Sequence, residues 1–470
     1  MKNYKELVKN IGVLTLSNFG SKILGFLLIP LYTSALSTSE YGSYDFIYTT
    51  ISLLIPLLTL NISESALRFL LEKKYSNNQI IRITFKYNIF SIFIVIALAI
   101  INYMFGFINL INNYFFYFLL MYICNLFYIM FQNIVRGYDQ IKDIAVSGII
   151  NSVLTLSLNL LFLLYFKYGL SGYFIATIIS NFVSSFYLFF RIKNAKNNEF
   201  GKKNNSIEKK MVEYSCPLML NSISWWINNV SDRYIVTFIC GIAANGIYSV
   251  AYKIPSILSV FQTIFNQAWG ISSVKQFDKN DSNDFFSNTY AMYNYMMVLC
   301  CSILIIFTRV LARFLYLNEF SSAWIYTPFL IISILFGGLS GYFGGIFSAL
   351  KNSKIIGNTT FLGASINIVL NFTLIPFIGV IGAAIATLVS YFIIWVIRLH
   401  YVRKSMNIKL HLTNDFTVYT IILIQTILIM STNNALTYII EVVLFFIINI
   451  IYYDNFLKIV RAIGGKRWSH

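Results

Sequence analysis

Long apolar runs separated by short polar stretches recur from one end of the chain to the other. Fourteen stand out, at about 11–36, 45–62, 87–105, 114–135, 146–166, 172–190, 214–240, 247–270, 288–308, 324–349, 358–377, 381–398, 415–431 and 437–453. Each is close to the ~20 residues a helix needs to cross a bilayer. The pattern predicts an all-α polytopic membrane protein of about 14 transmembrane helices. One polar stretch is longer than the rest, the lysine-rich 191–213, with six apolar segments on either side in a twelve-span unit. A second basic loop, 398–414, precedes the last two segments. The expected organisation is an N-lobe over 1–192, a cytoplasmic linker over 193–213 and a C-lobe over 214–400. Residues 401–470 then hold the basic loop, a C-terminal helix pair and a cytoplasmic tail.

Composition agrees. Of 470 residues, 57% are hydrophobic and 11% charged, against roughly 25% charged in soluble proteins. A cytosolic enzyme, a secreted disulfide scaffold and a nucleic-acid-binding domain are excluded. The net charge of +17 is then a question of position. With the N-terminus inside, 29 of the 35 lysines and arginines fall on the cytoplasmic side, three outside (Lys167, Arg309, Arg313) and three within spans (Lys22, Arg233, Lys253). That is the positive-inside bias, with both termini cytoplasmic. The basic start and the long apolar run containing Pro30 are read as an uncleaved first span. The five cysteines show no ligand spacing and no His/Cys/carboxylate cluster appears, so neither a metal site nor a cofactor is expected.

Two segments repeat. Leu158-Asn159 is followed by Gly169-x-x-Gly172-x-x-x-Ala176-Thr177-x-x-Ser180, and Leu370-Asn371 by Gly379-x-x-Gly382-x-x-x-Ala386-Thr387-x-x-Ser390. A weaker echo pairs Gly42 and Tyr44 with Gly246 and Tyr248. Order and spacing match in both halves, which predicts two parallel-related six-helix lobes. Such duplicated bundles place a substrate site at the repeat interface.

Ionisable groups within spans are costly and usually face a cavity or each other. Here they are Lys22, Glu64 and Arg68 near the end of the second segment, Asp232 and Arg233 in the seventh, Lys253 in the eighth and Glu441 in the last. Trp225, Asn228, Asn229 and Asp232 follow i, i+3, i+4, i+7 spacing and are expected on one helical face. Glu64 and Arg68 are expected as an i, i+4 pair, and Glu441 to snorkel or make a helix contact. Several cations beside few acids favour an anionic head group.

Thr33–Tyr44, Arg136-Gly-Tyr-Asp-Gln140, Asp232-Arg233-Tyr-Ile-Val and Gly246-Ile-Tyr248-Ser-Val-Ala251-Tyr-Lys253-Ile-Pro255 resemble the signatures of Wzx-type oligosaccharide flippases of the MOP (multidrug/oligosaccharidyl-lipid/polysaccharide) superfamily. The resemblance extends over nearly the whole chain and implies a MATE-like V of two six-helix lobes around a cationic cavity. It also implies ion-coupled movement of an undecaprenyl-diphosphate-linked oligosaccharide across the cell inner membrane, for O-antigen, capsule or exopolysaccharide synthesis. Under it, Lys22, Arg68, Arg233, Lys253, Trp225 and Asn229 are expected to bind substrate, and Asp232 and Glu64 to couple to H+ or Na+. The implied partners are the lipid-linked substrate, the bilayer, a glycan polymerase and chain-length proteins, with no nucleic acid. A membrane glycosyltransferase would carry a large outer loop with catalytic groups; the longest here, about 309–323, holds only Arg309, Arg313 and Glu319. The chain is therefore read as no enzyme. A flippase for a peptidoglycan or teichoic-acid precursor and a MATE-type drug/cation antiporter stay open.

Overall fold

A backbone crossing hydrocarbon must satisfy its N–H and C=O groups internally, and a sequence of long apolar runs meets this with helices. The computed structural model describes residues 25–195, 206–275, 277–281, 284–350 and 352–455. Among them the regular structure is helical, with no strand. The chain divides into two compact units, one ending at Val230 and the other starting at Ser231.

The first unit opens with α1 (Ile29–Ala35) and α2 (Thr38–Leu58). Ser37 starts α2 through a reciprocal capping box with Glu40, which supplies two bonds to otherwise free N-terminal groups. Leu60 and Asn61 then take left-handed φ values of 51° and 54°. They set α3 (Ile62–Glu72) at 55° to α2. There follow α4 (Asn77–Phe105), the short α5 (Asn109–Asn113), α6 (Phe115–Gly137) and α7 (Ile141–Asn159), the last extended by a π turn over Leu160–Tyr165. The unit continues through α8 (Gly169–Ala195) into α9 (Ile207–Cys240), whose last ten residues belong to the second unit. Ile62, Leu70, Ile134, Leu188 and Met211 form a shared core of α3, α6, α8 and α9.

The second unit adds α10 (Ile242–Ala251), α11 (Pro255–Lys275), α12 (Phe285–Leu315), a 3-10 turn at Asn318–Ile325, α13 (Thr327–Ala349), α14 (Ser353–Ile378), α15 (Val380–Ser405), α16 (Leu412–Ser431) and α17 (Ala435–Ile451). α13 is central, packing against α11, α12 and α15. The last two helices pack on α12 through polar pairs: Asn294 Nδ2 to Asp415 Oδ1 at 2.9 Å and Ser302 Oγ to Gln425 Oε1 at 2.9 Å for α16, and Tyr295 Oη to Asn449 Oδ1 at 2.8 Å for α17. Glu441 is fully buried in that packing and does not snorkel. Arg398, counted above with a cytoplasmic loop, is also buried. Its guanidinium and Nε donate to Thr359, Ser340 O, Ile356 O and Thr360, tying α13, α14 and α15 together. The fork of donors found four acceptors, which is why the arginine stays inside.

Nine described helices are long and apolar enough to cross a membrane, ten with the bent α2–α3 pair counted as one. The other expected segments differ for physical reasons. The seventh is α9, rich in Asn and Ser; the eighth is split into α10 and α11; the last is the 17-residue α17; and the first begins before the described residues.

The repeated glycines explain themselves here. Gly169 and Gly379 have φ of +55° and +68°, turning the chain between α7 and α8 and between α14 and α15. Three residues on, a methyl at Gly172 would lie 2.9 Å from Phe162 Cβ, and one at Gly382 would lie 2.8 Å from the Leu374 carbonyl carbon. Each motif is a tight helical hairpin that only glycine fits. Gly382→Ala is expected to lower stability by ~1–3 kcal/mol through overpacking. Gly357→Ala, with open space around it inside α14, should be neutral or stabilising by up to about 1 kcal/mol. Thermal unfolding of the two purified variants in one detergent tests this; equal midpoints would contradict it.

Candidate functional site

The chain's polar helix, α9, is long because its 34 residues include both a charged first turn and the polar mid-section. Near its end stands Asp232, 2% exposed. A carboxylate placed there loses water and needs donors from the protein. Tyr248 of α10 donates to Oδ2 at 2.7 Å, and Tyr252, the residue that caps α10, donates to the same oxygen at 2.8 Å. Oδ1 accepts the Arg233 backbone N–H at 2.9 Å. Thr387 of α15 shares its hydroxyl proton between Ala383 O at 3.0 Å and Asp232 Oδ2 at 3.4 Å.

The network goes further. Asn367 Nδ2 donates to Thr387 Oγ1 at 3.3 Å, and Asn371 Nδ2 to Asn367 Oδ1 at 2.9 Å. Asn371 Oδ1 is buried and accepts no hydrogen bond. The Arg233 guanidinium lies 5.1 Å over the Tyr252 ring, a cation–π placement that keeps a positive charge on the tyrosine that binds the acid. Lys253 is not inside a helix. It falls in the turn between Tyr252 and Pro255, where its backbone N–H returns to Val250 O. Proline cannot donate to the preceding turn, so the chain breaks there, just after Tyr252 has reached the carboxylate.

The remaining expected residues lie elsewhere. In the first unit Arg68 Nε bonds Glu72 Oε1 at 3.0 Å, not Glu64. α3 starts afresh at Ile62, so Glu64 occupies its first turn, where the helix dipole favours an acid, while the arginine turns toward the opposite end. Trp225 is 65% exposed, whereas Asn228 and Asp232 are buried. Shared angular position did not give shared surroundings, because seven residues carry the helix about 10 Å along its axis. Asn229 is half-buried and donates back to Trp225 O at 2.7 Å. The neighbour Trp226 is the anchored one, donating to Thr49 O and Ser52 Oγ at 3.1 Å each. Lys22 lies outside the described residues.

With this geometry in place, the comparisons are specific. The family described as "Polysaccharide biosynthesis protein" matches residues 7–270, more than half of the chain. The chain belongs to that family. Among its relatives, the probable low-salt glycan biosynthesis flippase Agl15 of Haloferax volcanii is 22% identical over 206 residues, 43% of each chain. The match thus spans under half the length of that relative. The family member's fold is shared with solved structures. The inward-closed lipid II flippase MurJ aligns over 95% of this chain and 98% of its own, with a TM-score of 0.68 and 16% identity. An inward-facing multidrug resistance MATE transporter of the MOP superfamily aligns over 82% and 95%, with a TM-score of 0.63 and 12% identity. The protein is a multi-pass membrane protein whose fold is that of these two structures.

Sequence reasoning singled out Asp232 and Arg233 as ionisable and passed over Tyr248, Tyr252, Asn367, Asn371 and Thr387 as site residues. A signal existed for two of them. Tyr248 and Thr387 are the repeated residues, and their counterparts Tyr44 and Thr177 bond to each other at 2.9 Å in the first unit. Tyr248→Phe and Tyr252→Phe each remove one charge-assisted donor from Asp232. Each is expected to lower stability by ~1–3 kcal/mol, with the double variant losing more than either. Thermal unfolding of the purified variants checks this; an unshifted double variant would contradict the network.

Proposed function

We propose that this protein is a flippase that moves an undecaprenyl-diphosphate-linked oligosaccharide from the inner to the outer leaflet of the cytoplasmic membrane, for O-antigen, capsule or exopolysaccharide assembly. The observation that carries the reading is a buried acid bound by Tyr252, with the Arg233 guanidinium over that tyrosine's ring and Lys253 next to it in the chain, in a member of the polysaccharide biosynthesis family with the MOP fold. Cations with forked or multiple donors suit a diphosphate. Arg68, Lys22, Trp225 and Asn229 are proposed as further substrate contacts, with Trp225 offering an accessible ring face. Both termini are cytoplasmic in this reading, the two lobes flank the 193–213 linker, and a glycan polymerase and chain-length proteins act downstream.

Coupling to H+ or Na+ is assigned to Asp232, with Glu64 as a second candidate. Asp232 Oδ2, Thr387 Oγ1 and the unbonded Asn371 Oδ1 are hard oxygen donors of the kind small cations take. A second reading, a flippase for a peptidoglycan or teichoic-acid precursor, is favoured by the extent of the MurJ alignment. A MATE-type drug antiporter fits less well, since a cationic drug gains nothing from Arg233 and Lys253.

Arg233→Ala and Lys253→Ala should each cut surface glycan at least tenfold at unchanged membrane protein level, with the lipid-linked precursor accumulating inside. Normal surface glycan in both variants would remove these residues from the substrate site. Asp232→Asn should abolish the dependence of transport on the ion gradient; an unchanged gradient dependence would exclude it as the coupling group.

A further inference from the structure

The second unit holds another cluster that the site above does not use. α12 ends with Arg309 and Arg313, four residues apart and hence on one helical face. Like charges at this spacing repel and weaken a helix slightly. Both also lie on the side where the chain otherwise places only Lys167. Proximity to the helix C-terminus offsets part of that cost, but it does not account for what surrounds the pair.

The surroundings form a pocket of about 220 Å³, lined by Arg309, Arg313, Tyr316, Ser321, Trp324 and Asn433. The 3-10 turn after α12 supplies Trp324, and the connection between α16 and α17 supplies Asn433. The Arg309 guanidinium carbon sits 4.3 Å from the centre of the Trp324 ring. Its Nη2 makes one long bond, 3.4 Å, to Met430 O. Its Nε is buried without a hydrogen-bond partner. Among the described residues neither arginine is paired with a carboxylate. A buried, unsatisfied guanidinium N–H costs free energy until an acceptor fills it. The pocket therefore presents forked cationic donors, a flat aromatic wall and neutral hydroxyl and amide groups. Drug-sized sites are ~300–1,000 Å³, so this one has room for a phosphate or a single sugar ring and little more.

We propose that this pocket is an anion subsite that receives the phosphate or an acidic sugar of a lipid-linked saccharide at the outer end of the second unit. The anion chemistry rests on the pocket alone. Its outer location and the saccharide lipid as source rest on the function proposed above.

The test uses the full chain in phosphatidylcholine nanodiscs. Titration calorimetry at constant ionic strength follows inorganic pyrophosphate, glucuronate and glucose. In an Arg233→Ala background, which removes a cation of the site proposed above, at least one anion should still bind, and should bind at least tenfold more weakly once Arg309→Gln/Arg313→Gln are added. Stronger pyrophosphate binding marks the phosphate as ligand, and stronger glucuronate binding marks an acidic sugar; either result supports the subsite. Arg309→Lys should also lose affinity, because it keeps the charge without the fork. Trp324→Leu retains both arginines and should weaken binding as well, which keeps the test decisive if the double variant does not fold. Equal anion binding with and without Arg309→Gln/Arg313→Gln, no anion binding in the Arg233→Ala background, or glucose binding as tightly as glucuronate would overturn the proposal. Failure of the flippase reading would look different: no lipid translocation by the wild type, with Arg309-dependent anion binding intact.

Discussion

The second unit depends on keeping a carboxylate, Asp232, out of water. Two tyrosine hydroxyls, one backbone N–H and a shared threonine proton surround it. Those donors come from three helices, so the acid fixes how α9, α10 and α15 meet. It also dictates the break after Tyr252. A straight helix through Tyr248 and Tyr252 would continue past the carboxylate, whereas the turn before Pro255 ends it there. A charged node satisfied this completely stays ordered, and removing any donor leaves an uncompensated buried charge.

Duplication supplied the frame and divergence supplied the chemistry. Each unit has a Gly-x-x-Gly hairpin that carries a Thr to a polar partner: Thr177 to Tyr44, and Thr387 to the acid that Tyr248 also binds. In the first unit the space around the pair is filled by aromatic stacking, with Tyr173 lying 3.7 Å from Tyr44 and 4.4 Å from Tyr32. In the second unit the same pair serves Asp232. One copy of the motif is packed apolar and aromatic, the other is polar and ionisable. The asymmetry gives the second unit the only acid-centred version of this pair among the described residues.

Much of this was legible in the residues. Apolar runs of span length located the helices, because hydrocarbon leaves no alternative to internal backbone bonding. The repeated Gly, Ala, Thr and Ser identified the hairpins. What was not legible depended on partners distant in sequence. Arg398 looks like a loop cation until Ser340, Thr359 and Thr360 are seen around it. The bend follows Pro56 in the last turn of α2, but the proline does not place it: Leu60 and Asn61 take the left-handed conformation there. Trp225 and Asp232 share a face by periodicity, yet one is exposed and the other buried. Periodicity reports angle about an axis and says nothing of what packs at each height.

The proposed activity, movement of a diphosphate-linked oligosaccharide across a bilayer, can be read out directly. The most direct measurement reconstitutes the purified chain in liposomes carrying a fluorescent oligosaccharide-diphosphate polyprenol, then adds a membrane-impermeant reductant outside. The account predicts that fluorescence protected in the inner leaflet becomes reducible when an ion gradient is imposed on protein-containing liposomes, and stays protected in empty ones. Identical protection in both preparations would contradict it.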